Sequence, residues 1–261
     1  MKLRTLAASI ALLAIMSGVA YAAGNFRQVK PGEFDPGKTF LVQAQWLTGI
    51  GCPTNAKQFD GTTTTTYSDP ACLTGDSGDK RNEGLLLAKT GPTTNDASAG
   101  AELKEVKGLT LTELGYDLRK PRSAADASGS HCGAGAPRFN IELKDGTLVF
   151  VGCNSSATPV TTTTVGNGWL RLRWGGGSNP IIAAPQLGGT PINIQGKEVK
   201  SIEIVFDEGQ DTGPDNFGLA VLDNIDVNGM LVGSHEDRSD HDKDKDKHKN
   251  HHRGEDSDDG D

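Results

Sequence analysis

Short stretches of this chain carry apolar residues at every second position, and most of them end at Gly, Pro, Asn or Asp. Alternation with period two is the mark of a strand with one buried face, and repeated short runs of it predict an all-β sandwich or barrel. Thr39 to Leu47 places Phe40, Val42, Ala44 and Trp46 on one face and Gln43 and Gln45 on the other. Val199 to Phe206 sets Ile202, Ile204 and Phe206 against Ser201 and Glu203. Leu109 and Leu111 share one parity while Leu114, Tyr116 and Leu118 share the other, so a β-bulge is expected near Glu113 to keep both sets inward. Ala99 to Val106 is the one stretch that reads as two turns of helix.

Asp145-Gly146, flanked by alternating hydrophobics, is a strong hairpin signal. A two-residue turn there pairs Leu143 with Leu148 and Ile141 with Phe150, and puts Phe139, Ile141, Leu143, Leu148 and Phe150 on one face. The last strand, Leu219 to Val227, carries Leu219, Val221, Ile225 and Val227 on the face that also holds Asp223. A carboxylate in an apolar row requires a partner or a cation.

Both ends of the chain read as something other than fold. Lys2 and Arg4, an apolar run from Leu6 to Met16 and the small-residue pattern Ala20-Tyr21-Ala22 make residues 1–22 a secretory signal peptide, in a style that fits a bacterial precursor. The expected location is therefore secreted or periplasmic. No later apolar run reaches the length of a spanning helix, so no membrane span is expected. Residues 234–261 hold eleven acidic, six basic and five histidine residues with almost nothing apolar, which predicts a disordered, solvated tail. Between them, residues 23–233 form the expected β-sandwich domain, with 23 acidic against 18 basic residues. A domain of that balance, without a basic stretch, argues against nucleic acid as partner.

Four cysteines in an exported chain predict two disulfides. Nearest neighbours in sequence give Cys52–Cys72 and Cys132–Cys153, each closing a turn-rich loop. His131 beside Cys132 is the sharp alternative, a nucleophile with its base, but adjacent residues on a strand point to opposite faces. His131 is also the only histidine of the predicted domain, which removes most support for Ser-His-Asp catalysis or a multi-histidine zinc site.

Two stretches invite a functional reading. In Gly168 to Gly175, Leu170, Leu172 and Trp174 point inward, which sends Trp169, Arg171 and Arg173 together to the other face. An exposed indole beside two guanidinium groups would stack on a sugar ring and bind its hydroxyls or a carboxylate; a covered Trp169 in a cation–π contact is the plain alternative. In Phe206 to Gly229, Asp211, Asp215 and Asp223 lead a group of oxygen ligands suited to a structural calcium ion, although the spacing is not that of an EF-hand.

The closing stretch Gly218 to Gly229, "GLAVLDNIDVNG", resembles the last strand of β-jelly-roll carbohydrate-binding modules and related galactose-binding-like domains. The resemblance implies a jelly-roll-like antiparallel sandwich, and a structural calcium near the chain ends that Asp223 helps to hold. The family opens with Asn or Gly followed by Phe-Glu; this chain has "NFRQVKPGEFD" instead, so the second calcium ligand, at Glu33 or Asp35, lacks its motif. No sugar-binding residue carries over from that one strand.

The expectation is an exported, disulfide-stapled, jelly-roll-like β-sandwich that binds an extracellular glycan without turning it over. A structural or envelope-surface protein with a protein partner is the first alternative. A glycoside hydrolase using paired carboxylates is the second, and no pair of carboxylates stands out for it.

Overall fold

A computed structural model describes residues 26–72, 74–91, 97–120, 137–152, 160–163, 168–207 and 217–235. Residues 1–25, with the stretch read as a signal peptide, and Cys132, Cys153, His131, Asp211, Asp215 and residues 236–261 lie outside the described residues. Every regular element among those described is a strand, and the pairing is antiparallel throughout.

Two sheets face each other. The first runs β1 (Val29–Phe34), β6 (Ser98–Leu103), β14 (Val199–Phe206), β8 (Arg138–Leu143), β9 (Leu148–Gly152), β12 (Ile182–Pro185), β13 (Ile192–Asn193). The second runs β10 (Val160–Thr163), β11 (Trp169–Gly175), β7 (Glu113–Arg119), β15 (Phe217–Val227), β5 (Glu83–Thr90), β2 (Val42–Thr48), with β16 (Met230–Val232) added to β15. Their inner faces meet in one apolar core, the arrangement that alternating strands require. At its centre Tyr116, Phe139 and Trp174 meet with ring centroids 5.3–5.9 Å apart. The buried Tyr116 hydroxyl donates to the Pro137 carbonyl at 2.6 Å, which satisfies the one polar atom that ring brings inside.

The predicted alternation holds in β14, where Ile202, Ile204 and Phe206 are fully buried, and across the parity slip before β7, where both the Leu109 and the Leu114 sets are buried. The slip falls at the start of β7, where the Asn228 carboxamide oxygen accepts the amides of Thr112 and Glu113. The stretch Ala99 to Val106, expected as helix, is strand as far as Leu103 and a turn beyond it. Ala97, Ala99, Ala101 and Leu103 are buried in alternation, and Gly100 lets the backbone pass the Ile204 carbonyl, which a Cβ would approach to 2.6 Å. Tertiary pairing on both sides overrides the helix propensity of alanine.

The hairpin is present, but its register differs by one residue from the expected one. Gly146 lies at φ +85° and the Leu143 amide bonds the Thr147 carbonyl, so the connection is a three-residue loop closed by a left-handed glycine. Phe139 therefore pairs with Val151, and Ile141 with Val149. A one-residue slip exchanges the two faces of a strand. Val149 and Val151 take the core positions, whereas Leu148 is exposed and Phe150 faces outward with the Arg138 guanidinium 5.2 Å from its ring centre. Phe40 is also outside the core: the Asp35 carboxylate accepts its amide at 2.8 Å, holds it at φ 58°, and delays the strand until Val42.

The edge of the sandwich at β1 and β2 is closed by side chains. The Trp46 indole donates to the Val29 carbonyl at 3.1 Å, and Glu33 accepts the amide of Ala44 on edge strand β2 at 3.0 Å. Capping an edge amide with a carboxylate removes a site where another strand would pair.

Candidate functional site

The chain between β2 and β5 folds onto the outer face of the second sheet. It contains the hairpin of β3 (Ala56–Phe59) and β4 (Thr64–Tyr67) and the predicted Cys52–Cys72 disulfide, and beneath it Cys52, Ala71, Cys72, Trp169 and Val221 form a small second core. Trp169 is thus 4% exposed, not the open platform that strand parity suggested. Parity was right about the direction of the side chain. It could not show that a disulfide-bonded segment lies over it.

Arg171 and Arg173 share that covered face. The Arg171 guanidinium makes a two-pronged bond to Asp117, at 2.7 and 2.8 Å, and reaches the Thr74 hydroxyl at 2.8 Å and the Thr74 carbonyl. Arg173 lies 3.0 Å from Asp226 and 3.6 Å from Asp117. Burial works against both guanidinium charges. At Arg171 the bond and charge of Asp117 prevail and raise its pKa, while at Arg173 burial prevails and lowers it. Arg171 ties the loop at Thr74 to the sheet, while Arg173 links β11 to β7 and β15 within it.

Asp223 is where the closing strand changes course. The register of β15 on β7 shifts between Asp223 and Asp226, and Asn224 sits at φ 46°. The bulge moves Ile225 and Val227 into the main core, while Val221 and Asp223 lie under the covering loop. The carboxylate in the apolar row has found its partners in backbone amides, accepting Cys52 N at 2.6 Å and Asn224 N at 2.5 Å. Burial, then the neighbouring Asp117 charge, push its pKa well above the ordinary range against those two bonds. Asn224 uses both ends of its side chain, accepting Asp76 N at 2.8 Å and donating to Asp117 at 2.9 Å. Each Asp223 oxygen accepts one amide, and Arg171 and Arg173 bring positive charge close by; Asp211 and Asp215, the other ligands expected for a structural calcium ion, lie outside the described residues. Glu33 accepts the Ala44 amide through one oxygen, and Asp35 accepts the Phe40 amide and the Thr39 hydroxyl. Cys52 and Cys72 approach Asp117, but their sulfurs are oxidised and cannot act as thiolate ligands.

The covering segment leaves a polar cleft of about 740 Å³, lined among others by Thr54, Asn55, Lys57, Asp76, Asp79 and Asn82. Its walls are the loops on either side of the β3–β4 hairpin, and its floor is Asp223 and Asn224. The floor is tightly set. Gly51 lets the chain pass so close to Glu83 that a Cβ would lie 2.1 Å from that residue's carbonyl oxygen, and Asn82 holds the Gly51 carbonyl at 3.2 Å. Three of the non-glycine residues at positive φ, Asn55, Asn82 and Asn224, line this one cleft. Backbone conformations of that kind cost free energy and collect where a structure must present particular groups. At the rim, Glu83 accepts the His235 amide at 2.9 Å and contacts its ring nitrogen at 2.7 Å, and its other oxygen meets Arg81 at 2.7 Å. Burial opposes the Glu83 charge, but the His235 bonds and the Arg81 charge prevail and hold its pKa below the usual value. The packed chain therefore reaches His235, two residues into the stretch read as tail.

A titrating group next to the cleft floor gives a pH prediction. Burial, aided by the charge of and a hydrogen bond with Glu113, raises the Asp226 carboxyl to about 6, against the pull of Arg173 and the Gly229 amide. Between its ordinary value and about 6, the folded protein binds the extra proton, so the contribution of Asp226 to stability falls as pH rises through that window. Urea unfolding of the wild type and of Asp226→Asn at pH 4 to 7 is expected to show the wild type losing on the order of 2 kcal/mol relative to the variant. A difference that is flat with pH would show that Asp226 titrates normally.

No family model matches the chain, and no curated protein matches it. Among solved structures it is similar to the family 11 carbohydrate-binding module from Clostridium thermocellum in complex with a β-1,3-1,4-mixed-linked tetrasaccharide, with 14% identity, 83% of this chain and 93% of that chain covered, and a TM-score of 0.35. It is also similar to the family 11 carbohydrate-binding module of the cellulosomal cellulase Lic26A-Cel5E of Clostridium thermocellum, with 11% identity, 80% and 94% coverage and a TM-score of 0.35. A β-1,2-glucanase from Parabacteroides distasonis aligns at 15% identity over 78% of this chain and 24% of that one, with a TM-score of 0.29. Overlaps this loose place no individual residue of the cleft.

Proposed function

We propose that this chain is an exported binding domain that holds an extracellular glycan in the cleft between the disulfide loop and the 74–82 loop, without cleaving it. The observation that carries the reading is the cleft itself, a polar cavity of about 740 Å³ set between a disulfide and a buried hydrogen-bonded floor. A fixed array of carboxamide, hydroxyl and charged groups suits the many hydroxyls of a sugar, and a preset site avoids the cost of ordering loops on binding. The cleft carboxylates speak for binding over hydrolysis. Asp76 accepts Gly78 N and Gly233 N, Asp79 accepts Arg81 N and Glu83 N, and Asp223 accepts Cys52 N and Asn224 N. A glycosidase needs one carboxyl free to give a proton and another free to attack or to activate water. Export is part of the proposal and rests on the leader-like residues 1–22, with which a disulfide agrees.

The test is retention of the mature chain on a panel of soluble and insoluble polysaccharides, with analysis for released sugars, beside the variant Ser77→Trp. Ser77 is exposed at the cleft, so an indole there adds bulk to the cavity wall at a position outside the buried floor. The expected result is retention on at least one polysaccharide with no sugar released, and at least about a tenfold loss of affinity in the variant at unchanged melting temperature. Release of sugar would favour the hydrolase, and undiminished binding by the variant would move the site elsewhere.

A further inference from the structure

The domain as a whole is acidic, yet the groups its cleft leaves free are cationic. Asp76 and Asp223 are buried at the cleft, and their oxygens, like those of the half-buried Asp79, accept the backbone amides named above. Arg81 is committed to Glu83 and to the His235 ring. Lys57 and Lys80, also in the lining, are exposed, and neither forms an ion pair or hydrogen bond with another side chain among the described residues. Lys57 comes from β3 and Lys80 from the opposite loop, so the two lysines line the cavity from different walls.

On the reading that the cleft holds a glycan, we infer that the glycan is anionic, its carboxylate or sulfate groups meeting Lys57 and Lys80 while its hydroxyls meet Thr54, Asn55 and Asn82. Ammonium groups on flexible stems meet an anion as point charges without demanding one geometry, which suits a repeating acidic sugar. The carboxamides and hydroxyl serve ring hydroxyls, which occur on acidic and neutral sugars alike. The two lysines therefore carry the discrimination. An attraction between exposed charges also weakens as salt rises.

Affinity of the full mature chain is measured for polygalacturonate, which carries only carboxylates, for dextran sulfate, which carries only sulfates, for a neutral β-glucan and for single-stranded DNA, at low and at high salt. The same set is repeated with Lys57→Gln combined with Lys80→Gln. The expected result is binding to one or both acidic polysaccharides, about tenfold weaker in the double variant and weaker in salt, with an unchanged melting temperature. The relative affinities for polygalacturonate and dextran sulfate assign the anion. Binding of the neutral glucan that the double variant leaves unchanged overturns the charge inference and keeps the glycan reading. Equal binding of DNA overturns the inference by showing attraction to any polyanion, and no binding to any polysaccharide overturns both readings.

Discussion

Arg171→Ala is expected to lower the unfolding free energy by about 3–5 kcal/mol, the range seen when one partner of a buried ion pair is removed. Asp117 is fully buried, and both of its oxygens meet the Arg171 guanidinium. Without that group, Asp117 keeps only the Asn224 carboxamide at 2.9 Å and Arg173 at 3.6 Å. The loss arises from an uncompensated buried charge and not from the intrinsic worth of the pair, so Asp117→Leu combined with Arg171→Met should cost far less than Arg171→Ala alone. In a domain of this size the single variant should melt about 10 °C lower. Arg171 also binds Thr74, at the start of the loop that walls the cleft, so ligand affinity should fall with stability. Urea unfolding of the three proteins decides the matter: a loss below about 1 kcal/mol for Arg171→Ala would mean that Asp117 is solvated or re-pairs with Arg173.

Replacing Cys52 and Cys72 together by alanine is expected to cost about 3 kcal/mol, because the cross-link spans 20 residues and restricts the unfolded chain over that loop. Both half-cystines are buried against Trp169 and Val221, and Cys52 donates its amide to Asp223, so the covering segment should also loosen from the sheet. Trp169 then becomes a reporter. Its fluorescence should shift to longer wavelength in the double variant at a temperature where the main core remains folded, since the segment owes little of its anchorage to the space between the sheets. An unshifted spectrum with unchanged stability would show that the ion-pair and hydrogen-bond contacts hold the segment without the disulfide.

Much of the sandwich was legible in the sequence because a strand with one face in the core writes its alternation into the chain. β14 and the two parities before and within β7 are read directly from it. The hairpin turn was legible and its register was not, since Asp145-Gly146 serves two-residue and three-residue loops alike, and only the left-handed Gly146 decides that Val149 and Val151 go inward. The short alanine run of β6 looked helical because alanine says little about period, while the strands on either side of β6 determine its state. The closing strand was read with one parity throughout, and the bulge at Asn224 breaks it there.

The site was less legible, for a physical reason. Parity sends Trp169, Arg171 and Arg173 outward, and nothing local shows that residues far away in sequence return to cover them. A signal was nevertheless present. Asp117, Asp223 and Asp226 stand on strands β7 and β15, and two arginines stand on β11 beside β7. Three carboxylates and two guanidinium groups grouped on adjoining strands are the composition of a closed ionic network, not of an open sugar platform. Asp223 was rightly marked as a charge that required a partner, and two backbone amides are that partner.

The most direct test of the cleft as the proposed binding site is residue-resolved amide chemical-shift mapping of isotope-labelled residues 23–261 during titration with an oligosaccharide of any polysaccharide found to be retained. Saturable shifts concentrated at residues 54–57 and 75–82, with smaller ones at Asp223 and Asn224, are expected. Shifts confined to another surface, such as the outward-facing strip around Phe150 and Arg138, would contradict that expectation.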